Sequence, residues 1–585
     1  MRFTAKPYEV HLLAVILLYV LGFTVYFSSL SVPFVFDDYP NIRDNPFIRL
    51  TSIDAEGMSA AAFDSPASRR PLANVSFALN YLIGGYDVKG YHLANIFIHI
   101  ANGVLVYFLT LILLRRVSRL KVQPAKSDRR LRLAALFAAA IFIAHPVQIQ
   151  AVTYIVQRMT SLATMFYLLS LLLYLLGRQR REPRVRMLYW IAALASWLLA
   201  LGSKEIAATL PVVIIVVEYL LFREPGRAWP RIHPAGLFLA LAASAGVALL
   251  YLGAEPGAAI AEQYAGHDLT PGERMLTELR VLVFYLTLLA LPLPGRLSLE
   301  HSFTISHSLT DPLTTLAAAA ILLVLILAAL RCARRHPLLT FCVTWFLVTL
   351  FIESSFIGIE LAFEHRLYLP MLAYALAIAY LVSLIPDRGL TIGTALAGAY
   401  LLGLVVATIL RNQVWQDPVT LWADTATKNP TSYRARNNLG RMLMTQGKLE
   451  QAAQQFSDAI RINPRYAEPH NNLGTVLARA GRFEKARTHF TAAIELNPGY
   501  AQAFNNLGVA LLSQGRAYDA AAQFTQAVRL APDYAKAHAN LATALMHLQQ
   551  PEAACRHLEL ALRLDARVPH SLKTAEKCPD VSKVD

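Results

Sequence analysis

The sequence predicts an all-α protein in two parts: a polytopic membrane domain over residues 1–410 and an α-solenoid over 431–566, with a linker at 411–430 and a polar tail at 567–585. Two observations carry this reading. Residues 1–410 form a train of apolar segments with charges confined to short gaps, whereas residues 431–566 repeat with a period of 34. In the repeat Asn438, Asn472, Asn506 and Asn540 fall in register, each followed by Leu, and Pro430, Pro464, Pro498 and Pro532 keep the same spacing. A 585-residue chain that is 55% hydrophobic and 16% charged, with positive mean hydropathy, is wrong for a protein soluble throughout.

The apolar stretches Val10–Leu30, Ile96–Leu114, Met165–Leu176, Ile206–Phe222, Leu237–Leu252, Leu316–Leu330 and Leu390–Leu410 approach the roughly 20 residues that cross a hydrocarbon core. The net charge of +15 does not point to nucleic acid, because the basic residues sit in particular gaps between these stretches. Arg115–Arg132 holds eight bases against one acid and Arg178–Arg186 five against one, whereas Ser31–Gly90 holds seven acids and five bases. Cytoplasmic gaps are the basic ones, so the first loop and the solenoid are expected outside. This gives about eleven spans, with residues 275–294 read as re-entrant or interfacial. The first helix reads as a retained anchor. Of the four cysteines, Cys555 and Cys578 alone share the external side, which allows one disulfide, and none has metal-ligand spacing.

The 34-residue period is that of tetratricopeptide repeats, four here, near 431–464, 465–498, 499–532 and 533–566. Single units cannot bury their apolar faces and stacked units can. Gly440, Gly474 and Gly508 supply close packing on the first helices, and Ala459, Ala493 and Ala527 on the second. The in-register asparagines either grip an extended acceptor peptide through both donor and acceptor groups or satisfy neighbouring turns. Their NNLG pattern resembles the superhelix of protein O-GlcNAc transferases, in which matching asparagines hold substrate peptides.

Polar groups next to or inside a membrane are costly and mark function. Asp37 and Asp38, in FVFDDYPNIRDN, are candidates for a general base, each tuning the other's pKa, or else solvated acids at a loop start. His92, Asn95, His99 and Asn102 form a polar stripe on one helix; the last three read as interhelical glue, and His92 lies near the outer edge. His145 and Arg158 flank the entry to another helix, Lys204 and Glu205 lie in GSKE, and Glu364, His365, Arg366 and Tyr368 in EHRLYLP. Arg158, Lys204 and Arg366 suit a phosphate on the external face. Glu300, His301 and His307 line an acceptor groove or a solvated loop.

Together FVFDDYPNIRDN, RPLANVSFALNYLIGG, YHLANIFIHIAN, HPVQIQAVTYIVQR, SKE and EHRLYLP, followed by the repeats, resemble the transmembrane and tetratricopeptide-repeat O-mannosyltransferases and their bacterial relatives. The resemblance implies a GT-C glycosyltransferase that moves one mannose-like sugar from a polyprenyl-phosphate carrier to Ser/Thr hydroxyls of proteins at the external face. It places Asp38 or Asp37 at the catalytic acidic pair and Arg158, Lys204 and Arg366 on the donor-phosphate side. No cofactor or metal is required; the partners are the lipid carrier and an acceptor protein held by the arm. The sequence departs from the family where HTEAV and GRAD are expected, reading Gln148–Val152 and Gln157–Thr160, so the acids of those motifs are missing. A lipid- or glycan-modifying transferase and a non-enzymatic anchored scaffold are the competing readings. Arg and Ala usage favours a bacterial inner membrane with a periplasmic arm over an endoplasmic reticulum membrane with a lumenal one.

Overall fold

The computed structural model describes residues 7–119, 127–222, 246, 255–264, 269–386, 389–565 and 578. Among these residues every regular element is helical, and they divide into two compact units, 1–421 and 422–585.

In the first unit the long helices are α1 (Pro7–Tyr26), α2 (Ala55–Phe63), α3 (Pro71–Gly84), α4 (Val88–Arg119), α5 (Asp128–Ala144), the short α6 (Ile149–Val152), α7 (Arg158–Arg178), α8 (Pro183–Leu201) and α9 (Leu210–Leu221). They continue with α10 (Pro256–Tyr264), α11 (Pro271–Ala290), α12 (Thr314–Cys332), α13 (Pro337–Leu350), α14 (Met371–Leu384), α15 (Leu390–Val414) and α16 (Pro418–Lys428). Among the described residues six helical stretches are long and apolar enough to cross a membrane, and seven if the bent pair 128–144 and 146–152 is one span. The eleven-span reading further needs the shorter α9, α13 and α14, and the stretch 237–252, which lies outside the described residues apart from 246. Residues 275–294, expected as re-entrant or interfacial, fall largely in α11, whose charges Glu273, Arg274, Glu278 and Arg280 keep it out of the apolar set. Residues 411–430 are largely helical, in α15 and α16.

Close backbone approach builds the bundle. A Cβ on Gly22 of α1 would lie 2.5 Å from Ile100 of α4, and one on Gly103 of α4 would lie 2.4 Å from Ile143 of α5. The polar stripe of α4 then meets its neighbours: His99 contacts the Tyr368 hydroxyl at 2.7 Å and the Ile143 carbonyl at 3.1 Å, and Asn102 donates to the Ser161 carbonyl at 2.9 Å. These are the interhelical bonds expected of polar side chains inside a bundle.

The second unit holds four hairpins: α17 (Tyr433–Thr445) with α18 (Leu449–Ile462), α19 (Ala467–Arg479) with α20 (Phe483–Leu496), α21 (Ala501–Ser513) with α22 (Ala517–Leu530), and α23 (Ala535–His547) with α24 (Pro551–Leu564). The packing glycines are required: a Cβ on Gly440, Gly474 or Gly508 would meet the ring of Phe456, Phe490 or Phe524 at 2.6–2.7 Å. Gly447, Gly481 and Gly515 close the first helices at φ of 75°, 72° and 78°, and Gln549 takes the same place in the fourth repeat at 58°. Cys555 and Cys578 form a disulfide; the rest of the 567–585 tail lies outside the described residues.

Candidate functional site

Connections from four parts of the first unit meet through side chains: residues 27–54 after α1, 145–157 between α5 and α7, 202–209 between α8 and α9, and 351–370 between α13 and α14. The first holds the aspartate couplet. Asp38 accepts the Val35 amide at 2.9 Å on one carboxylate oxygen and the Val156 amide at 2.7 Å on the other, while its own amide donates to the Val35 carbonyl at 2.9 Å. This loop holds Phe36 at φ 45°, a strained setting for a bulky residue. Asp38 is fully buried, and burial pushes its carboxyl up to about 8 against the lowering effect of the two amides and Arg158. His92 ties the same loop down by donating from Nε2 to the Val32 carbonyl at 2.8 Å.

Asp37 differs from its neighbour. It is only part-buried, and its amide donates to the Tyr154 hydroxyl at 2.8 Å. Burial raises its carboxyl, the Tyr154 hydroxyl lowers it, and the charge of Glu360 raises it again. Of the two acids, Asp37 is the less buried, and both carboxylate oxygens of Asp38 are taken by backbone amides.

Arg158 stands between the couplet and α4 as a fully bonded strut. Its Nε donates to Asn95 at 2.7 Å, Nη1 to the Ser76 carbonyl at 3.0 Å and Nη2 to the Tyr91 carbonyl at 2.9 Å, and its guanidinium lies over the Phe77 ring at 4.8 Å. The sequence suggested a phosphate contact; in the structure each nitrogen of Arg158 already has a protein acceptor. His145 and Tyr368 likewise belong to the frame. The former bonds the Leu289 carbonyl at 3.0 Å and caps the turn at Val147, and the latter is fully buried against His99 and Asn102.

The other expected cations do converge. Lys204, 3% exposed, donates to Glu353 at 2.7 Å and to the Thr160 hydroxyl at 3.1 Å. Glu205 pairs with Arg70 at 2.9 Å; burial works to raise its carboxyl, and Arg70 and Lys204 outweigh that and leave it lowered. Arg366 donates to the carbonyls of Leu361 at 2.9 Å and Glu360 at 2.5 Å. Burial, then the charges of Lys204, Arg366 and Arg70, drive His365 well below its ordinary value, so three cations act on one imidazole. His365 in turn contacts Gln150 at 3.2 Å, and Glu364 accepts the Ser298 amide at 2.6 Å and meets His301 at 3.1 Å. His307 lies farther out, exposed and paired with Glu273 at 2.6 Å.

Sequence reasoning missed the clamp on residues 353–361. Arg274 of α11 donates to the Ser355 carbonyl at 2.9 Å, to the Ile359 carbonyl, and to Glu278 at 2.9 Å, while Arg366 holds the same strand of chain from the other side. A buried Arg and Glu four residues apart in an otherwise apolar helix was the available signal.

The repeat asparagines form a ladder between repeats. Asn472 donates to Asn437 at 2.9 Å, Asn506 to Asn471 at 2.9 Å and Asn540 to Asn505 at 2.8 Å; Asn438, in the first repeat, contacts Arg441 at 3.4 Å. One amide donor of each of the last three is therefore spent on stacking. Among the described residues no group of three His, Cys, Asp or Glu is arranged to hold a metal ion.

Fold and site define a multi-span membrane protein bearing a tetratricopeptide-repeat arm. Family models described as "TPR repeat" match residues 440–481, and models described as "Tetratricopeptide repeat" match 465–533 and 514–569. The chain is similar to proteins named protein O-mannosyl-transferase. It is 27% identical over 504 residues to Tmtc3 of Drosophila melanogaster, covering 75% of this chain and 54% of that one. It is 24% identical over 457 residues to F38B6.6 of Caenorhabditis elegans, covering 75% and 61%. The chain thus spans only part of the length of these relatives. Among solved structures the crystal structure of MamA matches at 19% identity, covering 26% of this chain and 87% of that one, with a TM-score of 0.24.

Proposed function

We propose that this protein is a glycosyltransferase that moves a single mannose-like sugar from a polyprenyl-phosphate carrier to Ser/Thr hydroxyls of external proteins, with the repeat arm holding the acceptor. The observation that carries the reading is the gathering of Lys204, Arg366 and Arg70 around His365, together with a part-buried carboxylate, Asp37, that feels the charge of Glu360, the residue whose carbonyl Arg366 holds. The names of the relatives support the same chemistry.

In this reading Asp37 takes the proton of the acceptor hydroxyl as its oxygen attacks the anomeric carbon. The bond from that carbon to the carrier phosphate breaks, and the phosphate leaves with one more negative charge. Lys204 and Arg366 balance that charge where it develops; Lys204 does so by exchanging Glu353 for the phosphate. Asp38 and Arg158 hold the Asp37 loop against α4 and α7. Direct displacement inverts the anomeric centre and needs no organic cofactor. The Cys555–Cys578 disulfide suits an oxidising compartment, in keeping with a periplasmic arm on a bacterial inner membrane.

Mass spectrometry of external proteins from cells with and without the chain tests the proposal. Hexose additions on Ser/Thr that appear only with the chain, and vanish when residues 431–585 are deleted, are the expected result. Additions confined to lipid or glycan, and retained without the arm, would transfer the assignment to the lipid- or glycan-modifying class.

A further inference from the structure

At the end of α5 remote from the candidate site lies a groove of about 610 Å³ between the first turns of α5, the last turn of α14 and the early part of α15. Arg129 and Arg130, in the first turn of α5, line one end of it, and Leu133 and Phe137, one and two turns further along, line the rest with Val382 of α14. Asp128, the acid beside them, is paired with Arg115 at 2.7 Å and Arg132 at 3.2 Å, so the positive charge of that end stands. Arg130 donates to the Ile385 carbonyl at the end of α14, which ties its guanidinium to that helix. Gly398 of α15 also lines the groove, and a Cβ placed there would meet nothing within 4 Å.

We propose that this groove holds an anionic phospholipid of the leaflet on the side away from the transfer site, phosphate at Arg129 and Arg130 and one acyl chain along Phe137 and Val382. Three features select a lipid over a soluble anion. The cations among the lining residues are confined to the first turn of α5. From Arg130 to Phe137 the helix advances roughly 10 Å, the direction in which an acyl chain continues from its headgroup. The flanking side chains Leu133, Ile392 and Leu396 are 57%, 70% and 66% exposed, a face that water does not suit. Basic pockets between membrane helices recognise anionic headgroups by this combination of charge and depth. The inference concerns a region apart from the transferase reading and stands or falls without it.

The test is native mass spectrometry of the purified full chain after exchange into mixed phosphatidylglycerol and phosphatidylcholine vesicles. Retention of phosphatidylglycerol about tenfold or more above phosphatidylcholine is expected, the order that two arginines give near an anionic headgroup. Arg129→Gln should reduce that preference, and Gly398→Leu, which fills the groove, should remove the retained lipid, with Gly398→Ala behaving as the parent protein. Should Gly398→Leu fail to fold, Arg129→Gln alone decides. Equal retention of both lipids, or a preference that Arg129→Gln leaves unchanged, overturns the proposal. Displacement of phosphatidylglycerol by free glycerol phosphate also overturns it, in favour of a soluble phosphate ligand.

Discussion

In the repeat arm one polar contact is made three times, Asn472 to Asn437, Asn506 to Asn471 and Asn540 to Asn505, at 2.8–2.9 Å. In the membrane unit each buried polar contact occurs once: Arg158 on Asn95, Lys204 on Glu353, Arg274 on residues 353–361. The arm uses polarity to fix the register between neighbouring copies. The membrane unit uses it to bring distant connections to one place. Repetition makes the first visible in sequence; the second has no period, and its partners lie dozens to more than a hundred residues apart.

The comparison can be broken most sharply at the arm's packing. Phe490 is buried against Gly474, so Phe490→Ala should cost about 3–5 kcal/mol and unfold neighbouring repeats together in a denaturant titration. A loss confined to its own hairpin would show that the repeats are less coupled than the ladder implies.

On the membrane side, Tyr154→Phe removes the hydroxyl that lowers the Asp37 carboxyl. The acidic limb of the transfer rate should then move to higher pH, because the base stays protonated further up the scale. An unmoved limb in a folded variant would detach Asp37 from the rate.

A smaller effect sharpens the repeat side. His470 and His489 face each other through Nδ1 at 3.3 Å, and His538 and His557 at 3.0 Å, in alternate repeats. Burial, and then the facing His470, lower His489, and burial lowers His470. A base held below its ordinary value of about 6.5 stabilises the fold above that pH and loses the contribution as pH falls through it. Hydrogen-exchange protection over 467–496, measured against the intrinsic exchange rate at each pH, should therefore fall between pH 7.5 and pH 5.5. His489→Gln, which copies Gln455 and Gln523 in register, should flatten the trend, and an equal trend in both proteins would refute it.

The smallest change expected is a gain. Gln549 adopts φ 58° where three other repeats place glycine, so Gln549→Gly should stabilise the arm by about 1 kcal/mol in thermal melts, the cost of a left-handed side-chain residue.

The same contrast governs what the amino-acid sequence disclosed. The helix pairs and their packing glycines follow from spacing, the hairpins fall within the four expected units, and the Cys555–Cys578 disulfide, which topology only allowed, is formed. The aspartate couplet and the cations at 204 and 366 were readable as costly groups beside a membrane. Their partners were not, since only coordinates show that the oxygens of Asp38 are taken by backbone amides and the nitrogens of Arg158 by protein acceptors. The Arg274 clamp escaped notice because Arg274 is one of four charges at the start of α11, and Glu353 because it is a single charge at the end of an apolar run. Residues 411–430, composed like a linker, continue largely as helix.

The central claim, that the part-buried acid of the first connection removes the acceptor proton, is tested most directly by the rate of hexose transfer to external proteins by Asp37→Asn in the full chain. Loss of transfer by a protein that still reaches the membrane folded, with its disulfide formed, is the predicted result. Transfer at the parent rate by that protein would contradict it.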